Sequence, residues 1–238
     1  MAVRRRLRPA APHILGIQKN MSEVARLMDI HKVVAGAGAG RKRDVQVLNK
    51  SAIIITLACW EAYVEDLAKN AFEHMLNVAN SPEVFPDHVL AIAGKRITKA
   101  GALDVWSLAD DGWKAALSSH KDEILNKYVV KGSFNTPSCA NIDKLYSELI
   151  GLTSASREFY WPGMSNDKAK QRLQDLIELR GEIAHRVMSS NSVYKKDVEA
   201  YQKFIKRLAT ILHNRTLALI YVRTNTTPWR RYRHGKTR

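Results

Sequence analysis

Cysteine is scarce in this chain, with two in 238 residues, Cys59 and Cys139, and no CxxC spacing. A disulfide scaffold is excluded, and reduced core thiols in a reducing compartment fit better than a secreted protein. Long uncharged runs are also missing. Around the most apolar segment only Ser51 to Trp60 is free of charge, well short of the roughly 20 residues that cross a bilayer, so no membrane association is expected. Strand signals are absent, because no alternating run is bounded by turn pairs such as Asn-Gly and no long internal repeat occurs. The chain likewise has no GxxxxGK(S/T), no GxGxxG after a strand, no HExxH and no GxSxG. Its eight histidines are scattered rather than paired at ligand spacing, so neither a metal nor a cofactor is expected.

What is present is a globular composition, 45% apolar and 26% charged, with positive charge gathered at the ends. Residues 1–43 carry a net +8, residues 44–222 only +1, and residues 223–238 a net +6. A nearly neutral body with cationic ends attracts phosphate backbones by a salt-sensitive, sequence-independent force. Arg41, Lys42 and Arg43 near one end, and Arg230, Arg231 and Arg233 near the other, are the candidate RNA contacts, with Trp229 and Tyr232 as rings on which bases can stack. A merely solubilising tail is an equal alternative. The Arg-rich start MAVRRRLRPAAP lacks the apolar stretch of a secretory signal and reads as part of a mature, cytoplasmic chain.

Apolar residues recur at three- and four-residue steps from His13 to Val34, ahead of the joint Ala35 to Gly40. The strongest helical pattern follows: Ile53, Leu57, Trp60, Val64, Leu67, Ala71 and Val78 mark a core face, and Glu61, Glu65, Lys69 and Glu73 a solvent face. Glu61 and Glu65 lie one turn apart, as a metal site would require, but the alternating charges of the row favour a surface ladder. Residues 81–163 are cut by Pro and Gly into short helices, the clearest being FNTPSCANIDKLYSELIG, with Ser138 as cap and Gly151 as stop. Asp167 to Val187 and Tyr194 to Val222 predict two long helices. The expected fold is all-α, a bundle of long helices with short helices inserted at 81–163, a basic helix and joint at 1–43 ahead of the main domain at 44–222, and a basic tail at 223–238.

One residue breaks this pattern. Leu173, Leu176, Ile177, Ile183, Ala184 and Val187 form an apolar stripe, and Arg180 falls at its centre. Burying an unpaired guanidinium costs several kcal/mol, so Arg180 must reach water, a carboxylate, a partner chain or a bound anion. A structural arginine paired with an acid of a neighbouring helix has slightly better than even odds on this ground alone. His185 follows five residues later, about 140° around an ideal helix, so the two side chains do not stack. Using both on one ligand needs a distorted helix or a two-fold partner.

Three strings, ITLACWEAYVEDL at 55–67, FNTPSCANIDKLYSELIGL at 134–152 and LRGEIAHR at 179–186, resemble the HEPN domains, and more closely their RiboL-PSP-HEPN branch, over roughly residues 45 to 220. The resemblance implies a helical bundle that dimerises and carries an Arg-x4-6-His signature near the end of a long helix. Active members are metal-independent endoribonucleases, often toxins or antiviral effectors, in which the signatures of two protomers share one cleft. Arg180 and His185 would then be the catalytic pair. Gly181 stands where many members have a polar residue. The expected partners are RNA, a second copy of the chain, and a cognate antitoxin or defence-system protein. The rival expectation is a non-catalytic module that binds RNA or protein through the same dimer interface; a DNA-binding or membrane-surface role is weaker, with no helix-turn-helix string or large basic amphipathic face behind it. Spacing alone does not select the pair, since Arg8 with His13 and Arg26 with His31 match it too; the embedding of Arg180 among apolar residues does.

Overall fold

The computed structural model describes residues 9–35, 45–130, 136–185 and 192–232. Among them the fold is all-α, built from α1 (Pro12–Ala35), α2 (Gln46–Val78), α3 (Asp87–Ala100), α4 (Gly112–Leu125), α5 (Cys139–Ile150), α6 (Asn166–His185) and α7 (Lys195–Thr224). Short 3-10 turns at Pro82–Val84, Ala102–Leu108 and Ala155–Glu158 and a π-helical turn at Asn126–Val130 complete the inserted region.

The central element is α2, in contact with α1, α4, α5, α6 and α7. Its expected core face is buried, with Ile53, Trp60, Val64, Leu67 and Ala71 fully enclosed. By length and hydropathy α2 could cross a membrane, but here that apolar surface is covered by its neighbours. The opposite row departs from expectation. Glu61 and Glu65 are half-buried rather than solvated, whereas Lys69 and Glu73 are exposed. For Glu61 the neighbour is Arg180 of α6, a helix that packs on α2. The inserted helix α5 follows its sequence signals closely. Ser138 Oγ accepts from the Asn141 amide, and Gly151 at φ 76° lets the amides of Gly151 and Leu152 reach back to Ser147 and Tyr146.

The two ends are not free arms where they are described. Ile14, Ile17, Met21, Val24 and Met28 of α1 are buried and belong to the common core. At the other end α7 stops at Asn225, whose φ of 51° turns the chain back. His74 of α2 bonds Thr226 at 2.7 Å, and the Asn214 side chain pairs with both backbone groups of Tyr232. Between these anchors Trp229 enters the core with 7% exposure.

A chain of buried hydrogen bonds joins the two ends. The Arg230 carbonyl can only accept, so His213 carries its proton on Nε2 and donates at 3.0 Å. His213 Nδ1 then accepts from His13 Nε2 at 2.9 Å, and His13 Nδ1 accepts from the Asn70 amide at 3.3 Å. Both imidazoles are thereby neutral, each in one tautomer. Burial, reinforced by His213, pushes the His13 pKa down to about 3, and burial lowers that of His213 as well. The Trp229 ring stands edge-on to His13, 4.7 Å between centroids.

Candidate functional site

The site is carried by α6, which is anchored at its start. The Asn166 amide donates to the carbonyls of Ser156 and Arg157, and Ser165 Oγ accepts from the Lys168 amide. Along the outer face Gln171 donates to Asp175 and Gln174 to Glu178, one turn apart. Leu173, Leu176, Ile177 and Ile183 make the buried stripe. Ala184, expected in it, is exposed, and Val187 lies outside the described residues.

Arg180 is half-buried within this stripe. The group opposite is Glu61 of α2, whose carboxyl is pushed up by burial and pulled back by the Arg180 guanidinium. Arg180 nevertheless closes no ion pair or hydrogen bond among the described residues. One turn along α2, Glu65 is pushed up to about 7, by burial first and then by the negative charges of Glu61 and Asp66. Glu65 can therefore be protonated near neutral pH, which limits the negative charge beside Glu61. Among the described residues no three His, Cys, Asp or Glu side chains gather as metal ligands would.

His185 is exposed at the last described residue of α6. Because α6 is continuous through this position, the divergence of about 140° between Arg180 and His185 is retained. Gly181 has no atom within 4 Å of where a Cβ would stand, so open space lies beside it. The other two Arg-x4-His matches lack an accessible base. His13 is 1% and His31 8% exposed, and Arg26 is paired with Glu23 at 3.0 Å.

The structure corrects the proposed RNA contacts at the C-terminal end. Trp229 is not a platform for bases, since its ring is enclosed by His13, His74 and His213. Nor is Tyr232: it is half-buried, with the Arg230 guanidinium 4.9 Å over its ring and His213 against it at 5.1 Å. Arg230 and Arg231 are exposed, whereas Arg41, Lys42, Arg43 and Arg233 lie outside the described residues. None of the described cations of the tail is brought to the Arg180 stripe. The sequence reading missed a cationic and aromatic band on α6, α7 and the turn before α6. Its signal was Lys203 and Arg207, two cations one turn apart on α7 with no acid between them.

No curated protein and no solved structure matches the chain. A family model does, over residues 17–217, from within α1 to within α7 and across all three strings that carry the resemblance. The all-α bundle agrees with this match, and the chain belongs to the RiboL-PSP-HEPN family.

Proposed function

We propose that this protein is a metal-independent endoribonuclease whose Arg180 and His185 act in a cleft between two copies of the chain. The observation that carries this reading is the state of Arg180. A guanidinium is held half-buried in an apolar stripe with its donors unengaged among the described residues, and an exposed imidazole follows on the same helix. A permanent cation kept this way fits an anionic ligand, and the bidentate N–H edge of arginine matches a phosphate.

In the proposed reaction the ribose 2′-oxygen attacks the adjacent phosphorus, and the bond from phosphorus to the 5′-oxygen breaks. One His185 takes the 2′-hydroxyl proton and the partner subunit's His185 gives a proton to the departing 5′-oxygen. Arg180 stabilises the extra charge on the phosphoryl oxygens. The products are a 2′,3′-cyclic phosphate and a 5′-hydroxyl. Two protomers are needed because one helix points its Arg180 and His185 about 140° apart. A toxin or antiviral effector working in the cytoplasm, restrained by a cognate antitoxin or defence-system protein, is the setting this activity suits.

The rival reading, a non-catalytic helical module that binds RNA or protein, rests on Glu61. Its carboxylate beside Arg180 is what a structural arginine would have. End-group analysis separates the two. Single-stranded RNA incubated with the protein in EDTA should yield cyclic phosphate ends, and DNA of the same sequence should stay intact. RNA left whole, or cut equally with DNA, rejects the ribonuclease.

A further inference from the structure

Three open hollows of ≈ 390, ≈ 380 and ≈ 360 Å³ adjoin one another along α7. The first is lined by Tyr160, Arg207 and Arg231 and shares Arg207 with the second, which adds Trp161, Lys203 and Phe204. The second shares Arg172 with the third, which ends at Leu179, the residue before Arg180. From Ala200 to Asn214, both of which line the hollows, α7 rises roughly 20 Å.

The cations here are held in an unusual way. Arg172 lies over Phe204 at 5.3 Å and over Tyr201 at 5.5 Å, and Arg207 over Trp161 at 5.6 Å. Stacking engages the face of a guanidinium and leaves its in-plane N–H donors free. Among the described residues Arg172, Lys203, Arg207 and Arg231 form no ion pair. Two carboxylates, Asp175 and Asp197, line the third hollow with Arg172, where they accept from Gln171 and the Tyr194 amide, so the stretch lined by cations without acids is that of the first two hollows. Glu158, on the turn before α6, faces Arg215 at 3.8 Å. Tyr160 is 57% exposed beside these cations. Fixed cations with free donors, alternating with aromatic rings, are the chemistry that recognises a single nucleic-acid strand, by phosphate contacts and base stacking without sequence readout.

We propose that this α6–α7 band is the track for single-stranded RNA, in which Arg231, Arg207, Lys203 and Arg172 hold successive phosphates, Tyr160 stacks a base, Trp161 holds the Arg207 guanidinium in place from behind, and the strand is led toward Arg180. The proposal deepens the ribonuclease reading and rests on it for the strand's destination.

The test is fluorescence anisotropy with a labelled 12-nucleotide oligouridylate, on the full chain carrying His185→Ala so that the RNA survives. Adding Lys203→Glu and Arg207→Glu should weaken binding at least tenfold and reduce the salt slope by about 1.4, the share of two phosphates on a single strand. Tyr160→Ala should weaken binding several-fold and leave the slope unchanged. Should the double reversal fail to fold by circular dichroism, Lys203→Gln, altering one exposed head group, should still weaken binding about threefold. Binding equal to the parent in folded variants overturns the track, and so does a parent that binds no RNA. Cleavage by the unmutated chain is scored separately. Cleavage that persists while the reversal changes neither binding nor rate removes the track and leaves the ribonuclease. Binding lost on reversal in a chain that never cleaves removes the ribonuclease and leaves the track.

Discussion

His13 and His185 each follow an arginine at the same spacing in the sequence, and the two imidazoles have opposite surroundings. At the first, the histidine is sealed between α1, α2, α7 and the returning tail, neutral and locked in one tautomer by Asn70 and His213. At the second, the imidazole is exposed and the arginine is half-buried with its donors unengaged among the described residues. His13 is part of the packed interior and His185 is open to solvent. Spacing in sequence is therefore a weak guide, and burial separates the two histidines.

The comparison can be strained hardest at the buried end. Trp229→Ala removes the ring that encloses His13 and should cost about 3–5 kcal/mol of stability, read as a lowered urea midpoint. A loss under 1 kcal/mol would mean the tail is not part of the core. His213→Ala should cost a comparable amount. It leaves the His13 Nε2–H and the Arg230 carbonyl without their partner, at about 1–3 kcal/mol for each unsatisfied group.

Acid should reach the same place without mutation. The folded-state pKa values of His13 and His213 lie below the ordinary 6.5, so between that value and about 3 the unfolded chain binds more protons than the folded one. Their contribution is complete above pH 6.5 and is lost as pH falls toward 3. Glu65 works in the opposite sense. Its pKa is raised to about 7, so its contribution is present below 4.5 and fades as pH rises through 7. A urea series across pH should show the histidine loss on the acid side, and it should be smaller in His213→Ala.

At the exposed end the effects on stability should be the smallest. His185→Ala should change the unfolding free energy by no more than about 0.5 kcal/mol. Gly181→Ala, entering open space within a helix, should stabilise by about 0.5–1 kcal/mol. A clear destabilisation by either would place this end in the packed core.

Local signals in the sequence carried most of the fold. The cap at Ser138, the stop at Gly151 and the apolar face of α2 depend on neighbours within a turn or two, and all are found where their residues predict. The departures come from contacts between distant residues. Trp229 reads as an exposed ring in a basic tail until α7 ends at Asn225 and the chain folds back onto a histidine more than two hundred positions earlier. Glu61 and Glu65 read as a solvated ladder but are half-buried, with Arg180 of the distant α6 opposite Glu61. Arg180 was legible because a cation in an apolar stripe is a local anomaly. The band of Arg172, Lys203, Arg207 and Trp161 was not, since it exists only where α6, α7 and the preceding turn meet.

The most direct test is the initial rate of RNA cleavage in EDTA for His185→Ala beside Arg26→Ala, whose arginine sits at the same spacing from a buried histidine. The account predicts a loss of about 10² to 10⁴ for His185→Ala and an unchanged rate for Arg26→Ala. A His185→Ala protein that cleaves as fast as the unmutated chain would contradict it.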